Sequence, residues 1–447
     1  MTEDEFDDLV VIVRRQWGDR LPIPGRDETA DEVDQREERT RFVLERDIIP
    51  AVQAARLTNR LPPLPTDIED RLVDAVAAGA LGLHRILEHL RDPLAEEVRA
   101  DGAGPLEVLY ADGRMAQFPR LVRRARDLER VIYEIAAAHQ RPFNYTHPFV
   151  DVSFGDGIRF HADGSDVVSS PSFTIRRPIS LHLSLKDLAE CGTIDDGICE
   201  LLTTAVAARM SIVVVGEMAT GKTTMLRALA RLIPEDELVA TLETDFELAL
   251  KRSGRVRVRE FQARLPTTSD DRGLGTADFI APVLRSRADW ILLGEIRGHE
   301  ARAFKDAVGV TNGVMATVHG RSAADGLDRI AGLLVDATHM TVDRARWEIY
   351  RNVDLAIHLV GDARRGRWVS EVVAPFTNDD GTKVGWHTLY APDLNTSNNR
   401  ARPKSPPQAW MAARLNTANP AWTPAAWQHR SDTWRPVTLP AGLQRTR

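Results

Sequence analysis

Apolar residues along this chain follow two periods, and the way they mix changes twice. Residues 1 to about 65 read as helical segments broken by Pro22, Pro24, Pro62, Pro63 and Pro65. Residues 67–92 carry helix-spaced apolar positions, among them Leu72, Val73, Val76, Leu81, Ile86 and Leu87. Alternating runs follow at Leu106 to Tyr110 and Met115 to Phe118, separated by Asp112-Gly113, which predicts a hairpin. Leu121 to Ala138 returns to helical spacing, with Leu128, Val131, Ile132 and Ile135 on one face. A second hairpin is predicted from Phe149 to Phe154, Asp156-Gly157 and Ile158 to Phe160, then a strand from Ser172 to Ile175. From Leu185 onward, short β-branched runs alternate with helical stretches, the pattern of a parallel sheet. Strands are expected at Ile212–Val215, Leu238–Leu242, Val256–Val258, Trp290–Leu293 and Val314–Thr317, with Asp354–Leu359 and Trp368–Val373 as a closing pair. These patterns divide the chain into a helical segment 1–66, an α+β domain 67–182, an α/β domain 183–395 and an aperiodic tail 396–447 expected to be structureless. Trp410, Trp422, Trp427 and Trp434 stand out in that tail as candidate docking anchors.

Composition bounds the picture without changing it. A hydrophobic share of 43% and a charged share of 28% over 447 residues suit a soluble protein of two or three domains. No apolar run reaches the roughly 18 residues of a membrane-spanning helix, and the acidic start Met1-Thr2-Glu3-Asp4-Glu5 lacks the charge pattern of a signal peptide. Cys191 and Cys199 do not form a C-x-x-C pair, so a reducing compartment is expected and they read as small buried residues. The net charge of −7 is uneven: residues 1–50 carry 15 acids and 8 bases, whereas 396–447 carry one acid and eight bases. Overall acidity argues against a dedicated nucleic-acid binder.

The chemistry concentrates after Ser211. Gly216-Glu217-Met218-Ala219-Thr220-Gly221-Lys222-Thr223, followed by Thr224, is a complete G-x-x-x-x-G-K-[ST] phosphate loop between a predicted strand and a predicted helix. Its glycines allow a tight turn whose N–H groups cradle phosphates, Lys222 offers a point charge, and the Thr223 hydroxyl is placed for Mg²⁺. Three strand-end groups follow: Glu243 within Thr241-Leu242-Glu243-Thr244-Asp245-Phe246-Glu247-Leu248; Glu295 within Trp290-Ile291-Leu292-Leu293-Gly294-Glu295-Ile296-Arg297-Gly298; and His319 within Ala316-Thr317-Val318-His319-Gly320. Glu295 is the candidate for activating an attacking water and for touching Mg²⁺ through water; Glu243 would assist; His319 would sense a γ-phosphate.

These motifs resemble those of the type II/IV secretion ATPase superfamily. That family shows a phosphate loop, an acidic box, an L-R-x-R-P-D-x-I-[IL]-x-G-E-[VI]-R-G region and a T-x-H-A box, in that order. Gly294-Glu295-Ile296-Arg297-Gly298 is the sharpest match, because most phosphate-loop ATPases keep an Asp before the Glu. Pro148-Phe149-Val150-Asp151 with Asp156-Gly157-Ile158-Arg159, and Thr174-Ile175-Arg176-Arg177, are similar to N-terminal segments whose arginines reach the nucleotide in that family. The resemblance therefore implies nucleotide contacts for Arg159 and Arg176, and a coupling role for Arg297 and His319. Leu81-Gly82-Leu83 through Asp92-Pro93 resembles the branch that serves Flp, or tight-adherence, pili. Thr244 departs from the family's Asp, Gln262 from its Glu, and Gly320 from its Ala.

What the resemblance implies is a RecA-like ATPase domain behind an α+β (ferredoxin- or PAS-like) domain and a helical extension. It implies a Mg²⁺-dependent, ATP-hydrolysing homohexamer, cytoplasmic and peripheral at the inner membrane, docked on platform proteins of a pilus or secretion system. A type IV secretion or conjugation motor is the alternative machine. Two other classes remain: a RecA-like helicase, for which only the Arg255, Arg257, Arg259 alternation speaks, and a nucleotide-gated scaffold with little turnover, for which Thr244 speaks.

Overall fold

The computed structural model describes residues 3–17, 20–21, 38–77, 86, 89–90, 92–122, 124–139, 141–154, 158–179, 182–251, 253–264, 273–311, 313–362, 366–378, 383–392 and 399–438. They form two compact units, one made of most of the chain up to Arg177 and the other of Pro178 onward together with Ala111–Gly113. The first unit opens with α1 (Glu3–Trp17), a π-helical turn (Leu44–Ile48) continuing into α2 (Ile49–Thr58), and α3 (Thr66–Ala77). Phe6, Val10 and Val13 recur at helical spacing and bury against Leu44, Ile48, Val52, Leu72 and Val76, so this acidic segment has an apolar core of its own. The predicted breaks at Pro22 and Pro24, the Leu81-Gly82-Leu83 stretch, Leu87 and the Asp156-Gly157 turn lie outside the described residues.

The rest of the first unit is a six-stranded antiparallel sheet with the order β3-β2-β1-β6-β5-β4. Its strands are β1 (Ala95–Asp101), β2 (Leu106–Tyr110), β3 (Met115–Phe118), β4 (Phe149–Phe154), β5 (Ile158–Asp163) and β6 (Ser172–Arg176). The β2–β3 hairpin has the bounds expected from its alternation, and Gly113 in its turn adopts φ +76°. Between β3 and β4, α4 (Ala125–Ala138) buries Leu128, Val131, Ile132 and Ile135 on the predicted face. Strand β1 escaped prediction because Glu96, Glu97, Arg99 and Asp101 hide the buried positions Ala95, Val98 and Ala100.

The second unit is built on β7 (Ile212–Gly216), a run too apolar for anything but a doubly covered strand. Ile212 and Val214 feed the core on one face of the sheet; Val213 and Val215 feed the core on the other. The helices are α5 (Leu185–Glu190), α6 (Asp196–Ala207), α7 (Lys222–Ala230), α8 (Ile280–Arg285), α9 (Glu300–Val308), α10 (Ala323–Thr338) and α11 (Val342–Asn352). The strands are β8 (Val239–Glu243), β9 (Val258–Gln262), β10 (Trp290–Ile296), β11 (Val314–Val318), β12 (Leu355–Asp362), β13 (Gly366–Thr377), β14 (Val384–Pro392) and β15 (Ala401–Pro403). Their order is β15-β14-β13-β12-β7-β11-β10-β8-β9. From β12 to β9 every pairing is parallel, the expected α/β core; β13, β14 and β15 extend it antiparallel.

Strand β9 starts at Val258, later than expected, because Arg255 turns inward. Arg255 is 6% exposed and its guanidinium donates to the carbonyls of Ile233 (2.9 Å), Pro234 (2.7 Å) and Glu237 (2.7 Å). Of the Arg255, Arg257, Arg259 alternation, Arg255 caps the carbonyls that follow α7, and only Arg259 lies on β9.

Residues 396–447 correct the expectation of a structureless tail. They supply β15, α12 (Ala409–Ala418) and α13 (Pro424–Arg430), and the chain is described through residue 438. Met411, Leu415, Trp422 and Trp427 are fully buried in the core that α6 faces, and Trp427 stands edge-on to Tyr390 with ring centroids 5.4 Å apart. Arg414 donates to the carbonyls of Ala208 and Arg209 after α6 and pairs with Asp354 at 2.7 Å. These helices are short and each buries only one or two large side chains, so no period showed in the sequence.

Asp195 joins the two ends of this unit. One carboxylate oxygen accepts the Ile198 N–H (2.6 Å) and caps α6; the other accepts the Asp432 N–H (2.5 Å). Burial, outweighing these two hydrogen bonds, pushes its pKa up from 3.8 to about 6. A raised carboxyl pKa contributes stability that is complete below 3.8 and is lost as pH rises through about 6. Asp195→Asn should flatten this component in urea-unfolding midpoints measured across that window; an unaltered pH slope would refute the assignment.

Candidate nucleotide site

Sheet order brings the predicted strand-end groups to one edge. Strand β11 lies between β7 and β10, so a residue leaving β11 stands between the phosphate loop and the residues ending β10. Crevices at such carboxyl ends are where open α/β sheets bind ligands. The loop leaves β7 at Gly216 and enters α7 at Lys222, with Gly221 at φ +93° and Ala219 at φ +62°. Left-handed residues interspersed in a turn direct successive N–H groups to a common side, and the α7 N-terminus adds partial positive charge. A Cβ on Gly216 would fall 2.5 Å from Thr220 Oγ1 and 2.7 Å from the Leu359 carbonyl, so the strand-to-loop bend admits only glycine. Within the loop, the Glu217 carbonyl accepts from Thr220 Oγ1 (2.9 Å) and Lys222 Nζ (2.8 Å). Met218 is exposed, and Thr224 sits in the first turn of α7.

His319 bridges the loop to β10. Lys222 Nζ lies 3.4 Å from His319 Nδ1, and an ammonium has no lone pair, so Nδ1 is the acceptor and the ring proton sits on Nε2. That Nε2 faces Glu295 Oε1 at 2.7 Å. Burial and then the Lys222 charge lower the His319 pKa below 6.5, which keeps the ring neutral at neutral pH. The other Glu295 oxygen is held by Arg297 Nε at 2.7 Å. Oε1 itself is buried and has no aligned hydrogen-bond partner, despite the short approach of the imidazole. Lys222, His319, Glu295 and Arg297 thus form one continuous line.

Glu243 takes a different place from the one expected. It is 2% exposed, and Oε2 accepts the N–H groups of Glu247 (2.7 Å) and Leu248 (2.8 Å). Burial, against those two bonds, pushes its pKa up to about 7. Arg227, on α7, holds the same turn from the other side, donating to the carbonyls of Leu248 (3.0 Å) and Glu247 (2.9 Å). Clamped this way, Glu247 points its carboxylate at the loop, where it accepts from Thr223 Oγ1 at 3.2 Å. Glu243 also lies against Gly294: a Cβ there would come 3.1 Å from Glu243 Cγ, a tight contact. Thr244 is exposed and is no part of the Glu243 anchorage.

Sequence reading passed over Glu247, Arg227 and Arg367. Arg367 Nε, at the start of β13, donates to the Ala219 carbonyl at 2.9 Å. Glu247 was visible in the acidic box, four residues beyond Glu243, but only the clamped turn shows that it faces Thr223. Arg159 and Arg176 lie in the first unit, directly paired across β5 and β6; Arg176 also approaches Glu96 at 3.7 Å. Among the described residues no His, Cys, Asp and Glu cluster has the form of a metal site made by protein alone. No described helix is long and apolar enough to cross a membrane.

The family model described as type II/IV secretion system protein matches residues 165–374, a span that holds the loop, Glu243, Glu295, His319 and Arg176. The probable conjugal transfer protein TrbB of Sinorhizobium fredii is 30% identical over 252 residues, covering 55% of this chain and 73% of the relative. Protein VirB11 of Agrobacterium fabrum is 30% identical over 333 residues, covering 63% of this chain and 94% of the relative. Among solved structures, the Legionella pneumophila ATPase DotB aligns at 20% identity with a TM-score of 0.47, covering 65% of this chain and 80% of that one.

Proposed function

Because the chain belongs to the type II/IV secretion ATPase family, we propose that it hydrolyses ATP and uses the cycle to drive pilus assembly or secretion. The observation that carries this reading is the line from Lys222 through His319 to Glu295, a carboxylate on β10 at the same sheet edge as the loop. A carboxylate at that point can take a proton from an attacking water, and Arg297 holds its other oxygen in place. His319, neutral and contacting both the loop lysine and the base, is where a change at the γ-phosphate would be felt.

The loop residues Gly216 to Thr224 fit a nucleotide through converging N–H groups, the Lys222 charge and the α7 N-terminus. Hard oxygen donors suit Mg²⁺: Thr223 Oγ1, beside the Glu247 carboxylate, and Glu295 through water. When bound with the nucleotide, the ion would neutralise charge on the phosphate oxygens. Glu243 acts in this reading by holding the turn that presents Glu247. Arg159 and Arg176 would contribute positive charge to the transferring phosphoryl group during a hinge-like domain motion.

Lys222→Ala should weaken binding of a fluorescent ATP analogue about tenfold, since a charge-assisted phosphate contact is lost. Full ATP turnover and unaltered binding in that variant would remove the site assignment. Loss of turnover with retained affinity in Arg159→Ala and Arg176→Ala would support their role, and unchanged turnover would end it.

The working form in this reading is a homohexamer in the cytoplasm, peripheral at the inner membrane on platform proteins. Sedimentation with Mg²⁺ and nucleotide tests it; a persistent monomer would count against the ring. The machine we favour is an Flp-type pilus, from the N-terminal sequence pattern. Conjugal transfer is the second reading, because TrbB relatives are conjugal transfer proteins by name. Deleting the gene in its host separates them: loss of surface pili with intact plasmid transfer favours the first, the converse the second.

A further inference from the structure

Ala219 is the one non-glycine residue of the phosphate loop in the left-handed region, at φ +62°. That conformation costs an L-residue free energy, which its surroundings must offset. Its carbonyl accepts from Arg367 Nε at 2.9 Å, across 148 residues of sequence. Sheet register delivers this arginine. Strand β12 pairs Leu359 with Gly216, where the loop begins, and pairs Gly361 with Arg367 at the start of β13. Two glycines make the approach feasible. A Cβ on Gly221 would sit 3.2 Å from Arg367 Cδ, and a Cβ on Gly366, at φ +85°, would sit 2.1 Å from Val437 Cγ1. The side chain therefore passes along the loop over Gly221, and the residue before it is seated by the C-terminal segment.

We propose that Arg367 is a positioning residue for nucleotide binding: it holds the Ala219 peptide left-handed, and so keeps the loop N–H groups converging on a phosphate. A guanidinium bonded to a carbonyl is a charge-assisted contact, stronger than a neutral one, and here it is directed at the strained peptide. The inference rests on the reading of this loop as the nucleoside di- and triphosphate site. It concerns a residue outside every loop motif, and it predicts that the need for Arg367 disappears when residue 219 tolerates the conformation unaided.

The test titrates the full chain with N-methylanthraniloyl-ADP. Arg367→Ala should raise Kd about tenfold, the loss of one charge-assisted hydrogen bond. Glycine adopts the left-handed conformation without penalty, so adding Arg367→Ala to an Ala219→Gly background should raise Kd less than about threefold over that background. An unchanged Kd in Arg367→Ala, with Lys222→Ala weakened, would overturn the inference while leaving the site reading intact. An equal loss in both backgrounds would also overturn it, since Arg367 would then act on the ligand and not through Ala219. Unaltered binding in Lys222→Ala would instead defeat the site reading. Thermal melts of each variant show whether the fold is retained.

Discussion

Glu295→Gln should lower ATP turnover about 10²- to 10⁴-fold, the usual contribution of a general base, and leave nucleotide affinity within about threefold. The substitution keeps shape and leaves the other carboxyl position able to accept from Arg297. It removes the charge that makes Oε1 a proton acceptor. With the amide oxygen toward Arg297, the amide NH2 would face His319 Nε2–H, two donors where Oε1 now lies at 2.7 Å, so the line from Lys222 is broken at its far end. Steady-state phosphate release and single-turnover binding separate the two effects. Equal, near-zero rates in the wild type and the variant would favour a nucleotide-gated scaffold. A variant as fast as the wild type would remove Glu295 from the chemistry altogether.

Trp427→Ala should destabilise the second unit by about 3–5 kcal/mol, the cost of removing a large buried aromatic. Trp427 is 1% exposed and packs edge-on against Tyr390. The indole is enclosed by the apolar core that α6 faces, so the loss is chiefly one of packing. Trp410, 44% exposed on α12, is the internal control, and Trp410→Ala should move stability by no more than about 0.5 kcal/mol. Urea midpoints followed by a probe in the second unit report both. Equal small effects at the two tryptophans would contradict the packing of α13 on the core.

What was legible in the sequence was local. The loop between β7 and α7 showed itself because motif, apolar run and helical period are contiguous. The strand ends at Glu295 and His319 followed from short apolar runs that each finish on a polar group. The β2–β3 hairpin was legible because Asp112-Gly113 punctuates two alternating runs. What stayed hidden depends on partners far along the chain and on backbone groups that no side-chain pattern reveals. Arg255, Arg227 and Arg367 each serve carbonyls, and nothing in an arginine's neighbours announces that. Glu243 was read from its strand-end position as assisting catalysis; that its carboxylate accepts two N–H groups of the turn carrying Glu247 was not legible. Strand β1 was masked by its charges, and the tail helices by their brevity. Gly294 was noticed as an oddity of sequence; only the structure shows that it packs against the Glu243 side chain.

The hydrogen bond between Asp195 and Asp432 spans 237 residues. A ribosome adding roughly 5–20 residues per second needs about 10–50 s to make that stretch. Throughout that interval α6 is already outside or entering the exit tunnel, while the segment that covers it, with Trp422 and Trp427, has not been synthesised. The phosphate loop, both acid-bearing strands and His319 are all translated before that cover. Each nascent chain therefore passes through a period with a wide apolar face open to chaperones or to its neighbours on the same message. Slower translation lengthens this exposure, so yield of folded protein should depend on growth temperature and chaperone supply more steeply than the finished molecule's stability would suggest.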